Sequence, residues 1–92
     1  MENKELKEQI EYIIELMESI MDDASVPRNI RKTIEEAKNK LSINIDEINV
    51  NLTTAIYLME DISNDMNMPS HTRTEIWTII SGLESIREKY KG

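Results

Sequence analysis

Cysteine is absent from this 92-residue chain, and glycine and histidine are nearly so. Without Cys there is no disulfide and no thiolate metal site, so stability must come from packing, which suits a reducing cytoplasm. Gly82 and Gly92 are the only glycines, too few for a phosphate-cradling loop, a Walker motif or a dinucleotide fingerprint. A carboxylate-bridged dinuclear site in a helical bundle needs two Glu-x-x-His pairs. The lone His71 has Met68 three residues before it, so that motif is missing even once. No Ser and acid are recognisable as its partners in nucleophilic catalysis. The sequence assigns no catalytic residue, no cofactor and no metal site; weak surface binding of Mg²⁺ or Ca²⁺ by Asp22 and Asp23 is the only metal chemistry it leaves open. The expectation is a protein that is not an enzyme.

Positive charge is also scarce: 11 Lys and Arg against 18 Asp and Glu give a formal charge of −7. The cations are scattered rather than gathered into a stripe, which disfavours nucleic acid as a partner because phosphate binding depends on clustered cations. Long apolar runs are missing as well. The longest, Ala55 to Met59, is far too short to span a bilayer, and the opening Met1-Glu2-Asn3-Lys4-Glu5 lacks a signal peptide's layout. A cytoplasmic protein without membrane contact is expected.

What the chain does contain is a copy of itself. Ile14, Leu16, Met17, Glu18, Ile20, Asp23, Pro27, Arg31, Ile34 and Leu41 recur 42 positions later as Ile56, Leu58, Met59, Glu60, Ile62, Asp65, Pro69, Arg73, Ile76 and Leu83. Shared helical periodicity explains apolar matches, but not an Asp-x-x-x-Pro-x-x-x-Arg recurring in phase. Such a period marks repeated supersecondary units that cover one another's apolar faces.

Apolar steps of three and four define four helices. The first runs over about residues 3–23 with the stripe Leu6, Ile10, Ile13, Met17, Ile20 and Ala24. Pro27 opens the second, whose stripe is Ile30, Ile34, Ala37 and Leu41. Ser42 to Asn49 is the link, with Asp46 or Asn49 as the cap of helix three. Helix three carries Leu52, Ala55, Ile56, Met59 and Ile62, and Pro69 opens a fourth helix carrying Thr72, Ile76, Ile79, Leu83, Ile86 and Tyr90. Period-two alternation is absent. The predicted fold is all-α: one domain over residues 1–92, an antiparallel up-and-down four-helix bundle made of two repeated helical hairpins, at about 3–41 and 50–90. The competing arrangement is a two-unit stack of the HEAT type. Helices one and three carry enough apolar residues to predict that both are nearly enclosed.

Two groups of residues stand out. Asp23, Pro27 and Arg31, with Asp65, Pro69 and Arg73, form repeated turns in which each Arg can fold back on its Asp or on the last carbonyls of the preceding helix. Tyr12, Tyr57, Trp77 and Ile80 are apolar beyond the needs of a core and form a candidate interaction surface. Trp77 is the sharpest of these because its counterpart in the first half is Glu35.

The stretch Thr54-Ala55-Ile56-Tyr57, continued by Glu60, Ile62-Ser63 and Asn67-Met68-Pro69-x-His71-x-Arg73-Thr74-x-Ile76-Trp77, resembles the signature of uncharacterised protein family 0147, a group of small archaeal proteins. Val26-Pro27-x-Asn29-Ile30-Arg31 resembles its first-half counterpart, and together the likeness covers about Ile20 to Glu84. Met66 and Asn51 depart from the pattern, standing where Pro and Arg are expected. The resemblance implies an archaeal four-helix domain and supplies no activity.

The functional expectation is a small interaction or scaffolding module, with a protein partner that includes a second copy of the chain as a candidate. The runner-up is a regulatory domain that binds a small ligand in a cleft between the hairpins.

Overall fold

A computed structural model describes residues 3–43 and 47–90, which form four α-helices and, among the described residues, no strand. They are α1 (Asn3–Met21), α2 (Arg28–Ile43), α3 (Ile48–Ser63) and α4 (Ser70–Lys89). Each packs on its neighbours in the chain, and α1 also packs on α4.

The predicted stripes become one core. Met17, Ile20, Ile30, Ile34, Leu52, Met59, Ile76, Ile79 and Leu83 are fully buried, with Leu6, Ile10, Ile13 and Ile86 closing its far end. Burial at steps of three and four on every helix is the geometry of a single apolar face turned inward. The prediction that α1 and α3 are nearly enclosed is overturned: Tyr12 and Tyr57 are exposed, and Ile14, Leu16 and Leu58 are only partly covered. In four helices gathered round one core, each turns a single side inward.

Helix boundaries shift by small amounts. Helix α1 stops at Met21, and Ala24, expected at the end of its stripe, lies exposed in the turn. Helix α2 continues to Ile43, beyond its apolar stripe, so the link is shorter than expected. Asp46 lies outside the described residues. Glu47 occupies the N-cap position of α3 with no side-chain capping bond. Asn49, the other expected cap, donates its side-chain N–H to the Tyr90 carbonyl at 3.0 Å, tying the start of α3 to the end of α4.

Pro69 sits just outside α4 with φ −58° and ψ 146°, and its carbonyl accepts the Arg73 N–H at 3.0 Å. Pro27 does the same for Arg31 at 3.1 Å. Proline costs nothing here, because the first amides of a helix have no intrahelical partner.

Gly82 lets the Ile13 side chain of α1 sit against α4: a Cβ added there would fall 2.5 Å from Ile13 Cδ1. Beyond it, the half-buried Tyr90 closes the end of α4 with its hydroxyl covered and unpartnered. Burial pushes its phenol pKa up, and the charge of Glu5 adds to the effect.

Candidate functional site

The two turns share one bonding scheme. In the first, the Asp23 N–H donates to Ile20 O at 3.0 Å and the Val26 N–H to Asp23 O at 3.1 Å. In the second, the Asp65 N–H donates to Ile62 O at 3.0 Å and the Met68 N–H to Asp65 O at 3.3 Å. Each Asp also caps its own turn, Asp23 Oδ1 accepting the Ser25 N–H at 2.9 Å and Asp65 Oδ1 accepting the Asn67 N–H at 2.8 Å. Val26 and Met68, between Asp and Pro, are both buried and anchor the turns to the core.

The second carboxylate oxygen of each Asp reaches the other half of the molecule. His71 Nε2 lies 3.2 Å from Asp23 Oδ2, and Asn29 Nδ2 donates to Asp65 Oδ2 at 3.4 Å. Asn29 and His71 both stand two residues after their proline, so the contacts are reciprocal. Sequence reasoning missed them. The signal was there in a polar residue at the same offset from Pro in both halves, but a reach across the molecule carries no local periodicity.

The Ser25 hydroxyl (2.7 Å) and backbone N–H, followed by His71, hold the Asp23 carboxyl at about 2, below its ordinary 3.8. Folding therefore favours the charged form. That stabilisation is complete above about pH 4 and is lost as pH falls through the folded value. Thermal melts of the wild type and Asp23→Asn should converge between pH 5 and pH 2, the wild type losing its advantage on acidification. Parallel curves across that range would remove Asp23 as the cause.

The two arginines differ. Arg73 donates Nη1 to the Ser63 carbonyl and Nη2 to the Asp65 carbonyl, the latter at 2.8 Å, binding the end of α3 to the start of α4. Arg31 leaves its Nε buried without a hydrogen-bond partner. It lines a recess of about 790 Å³ together with Met21, Arg28, Asn29, Lys32 and Glu35, a cluster the sequence reading did not single out.

The four residues of the expected interaction surface separate. Tyr57 on α3 is 69 % exposed and Trp77 on α4 is 54 % exposed. The Arg73 bond to Ser63 and the Asn49 bond to Tyr90 bracket both residues along the pair of helices. Ile80 is 3 % exposed and belongs to the core, which corrects its place on the surface: it lies one turn from Ile76 and is drawn inward with it. Tyr12 stands elsewhere, on a groove of about 580 Å³ between α1 and α4 floored by Ile13, Leu16, Gly82 and Ile86. The counterparts of Tyr57 and Trp77 in the first half are Glu15 and Glu35, both exposed. At equivalent solvent-facing positions, the first half is acidic and the second aromatic.

Among the described residues no three His, Cys, Asp or Glu side chains are grouped to hold a metal ion, and no helix is long and apolar enough to cross a membrane.

The model of an uncharacterised protein family, UPF0147, matches residues 1–86. The chain belongs to this family. Among its UPF0147 relatives, the protein of Methanothermobacter thermautotrophicus is 46 % identical over 76 residues, covering 83 % of this chain and 74 % of the relative. That of Methanosarcina mazei is 41 % identical over 86 residues, covering 94 % and 92 %. Two crystal structures are similar. One, of a UPF0147 protein from Thermoplasma acidophilum, is 31 % identical with a TM-score of 0.81 over 87 % of this chain and 94 % of that one. The other, of the unknown-function protein MMP1188, is 47 % identical with a TM-score of 0.79 over 84 % and 88 %. The names of these UPF0147 relatives carry no activity, and the likeness therefore supports the helical fold and leaves function to the geometry.

Proposed function

We propose that this UPF0147 chain is a small, non-enzymatic protein-interaction module of the cytoplasm that pairs with a second copy through the α3–α4 face bearing Tyr57 and Trp77. The observation that carries this reading is the replacement of Glu15 and Glu35 by Tyr57 and Trp77 at equivalent exposed positions. An exposed aromatic costs solvation where a carboxylate does not, and Trp and Tyr are the residues on which interfaces concentrate their binding energy.

The scaffold is read as an antiparallel up-and-down bundle of two repeated hairpins. Supporting it are the matching bonds of the two turns, the reciprocal Asn29–Asp65 and His71–Asp23 contacts, and the packing of α1 on α4. The overall extents of 38 × 20 × 18 Å also support it. A 20-residue helix is about 30 Å long and packed helices lie about 8–10 Å apart, so four side by side fill such a body.

Light scattering on a sizing column tests the pairing. The wild type should elute with about twice the monomer mass of 10.7 kDa. Trp77→Ser and Tyr57→Ser should return the monomer mass with an unchanged helical circular dichroism spectrum, since neither side chain lies in the core, and should remove any concentration dependence of the melting temperature. A wild-type mass of 10.7 kDa at every concentration sinks the homodimer.

A second reading, a ligand-binding domain, draws on the α1–α4 groove, which lies between the hairpins and carries Glu5, Glu8, Gln9 and Lys89 around its apolar floor. It ranks second because the groove's rim carries both signs of charge around an apolar floor and so presents no single ligand chemistry.

A further inference from the structure

We propose that the recess beside the first turn, lined by Arg28, Arg31 and Lys32, binds the phosphate group of a small soluble phosphorylated molecule. Three cations face a space of about 790 Å³ with Glu35 as the only acid of the lining, in a chain whose charge is −7. Local positive excess on an acidic body is a field that collects anions.

The second hairpin supplies the comparison. The residues equivalent to Arg28, Asn29, Arg31, Lys32 and Glu35 are Ser70, His71, Arg73, Thr74 and Trp77, so two of the three cations are missing there. The remaining one, Arg73, is consumed by the carbonyls of Ser63 and Asp65. The first turn closes with the same backbone bonds while Arg31 keeps a buried Nε with no partner. The turn closes without the carbonyl bonds that Arg73 makes in the second half, and the Arg31 side chain lines the recess instead. Two guanidinium groups and an ammonium match a tetrahedral dianion, because guanidinium offers paired donors and ammonium a point charge. Glu35 opposes any anion and limits the affinity.

The test is a titration of the full-length ¹⁵N-labelled chain with inorganic phosphate and pyrophosphate at constant ionic strength, following the arginine Nε–Hε and backbone amide signals. Saturable shifts at Arg31, Arg28 and Lys32 are expected, with Arg73 and Arg87 unmoved. Arg31→Met and Arg28→Met should each weaken binding about tenfold or more, the loss expected for a charge-assisted bond. Glu35→Gln should tighten it. Non-saturating shifts, equal shifts at every arginine, or undiminished binding by both Met variants would each overturn the site. Co-sedimentation with vesicles of anionic phospholipid, without saturable binding of either free anion, would overturn it in favour of a membrane headgroup. The site is independent of the aromatic face, and Arg31→Met should keep the wild-type mass on the sizing column.

Discussion

Arg73→Met should destabilise the protein by about 2–3 kcal/mol in urea denaturation, whereas Arg31→Met should change stability by less than about 0.5 kcal/mol. The sequence treats these arginines alike; the structure does not. Arg73 gives two hydrogen bonds from a charged donor to main-chain carbonyls, Ser63 at the end of α3 and Asp65 in the turn, and it is partly buried. Bonds to charged groups contribute roughly 1.5–3 kcal/mol, and deleting the donor also leaves the carbonyls without that partner. Methionine keeps much of the apolar stem, so the loss reports mainly on the head group. Arg31 has a buried Nε and no partner for it, so its removal also relieves an unsatisfied group. Equal losses at the two sites would show that the first turn depends on its guanidinium as the second does.

Ile34→Ala and Ile76→Ala should each destabilise by about 2–5 kcal/mol, the range for removing a large aliphatic side chain from a packed interior. Both are fully buried, on α2 and α4, at positions 42 residues apart. Their losses should agree to within about 1 kcal/mol if the two halves of the chain present equivalent environments to a shared core. The double variant should be largely unfolded, since a domain of this size has about 5–15 kcal/mol in total. Circular dichroism through a urea titration reads all three. A loss confined to one position would show that the two halves do not share the core equally.

The helices were legible because each needs only local information: one apolar face repeating every three to four residues, and a proline where a helix can begin. Met17, Ile34, Met59 and Leu83 were placed correctly on that ground alone. The ends were less so. Periodicity ran on to Ala24, but the chain turns at Asp22 and Asp23, where side chains compete for the backbone. Ile80 shows the limit of an apolar surplus. Its neighbour Trp77 is exposed and it is not, and the difference lies in a rotation about the helix axis that a wide stripe does not resolve. The links between Asn29 and Asp65 and between His71 and Asp23 join residues 36 and 48 positions apart, and only the packed chain brings them together. The cationic recess differs: Arg28, Arg31 and Lys32 stand at helical spacing on one face of α2, a local pattern, and only Met21 of α1 is brought to the same lining by the fold.

The Ile13 methyl that fills the space over Gly82 works as a shim. It takes the room that a side chain at residue 82 would need, in the lining of the channel that both residues floor. A methyl added at residue 82 would push the flexible end of Ile13 aside, while a shorter side chain at residue 13 would leave room for it. One contact of a few atoms thus couples residue 82 to the lining of the cleft beside Tyr12, far from the turns that fasten the opposite end of the molecule.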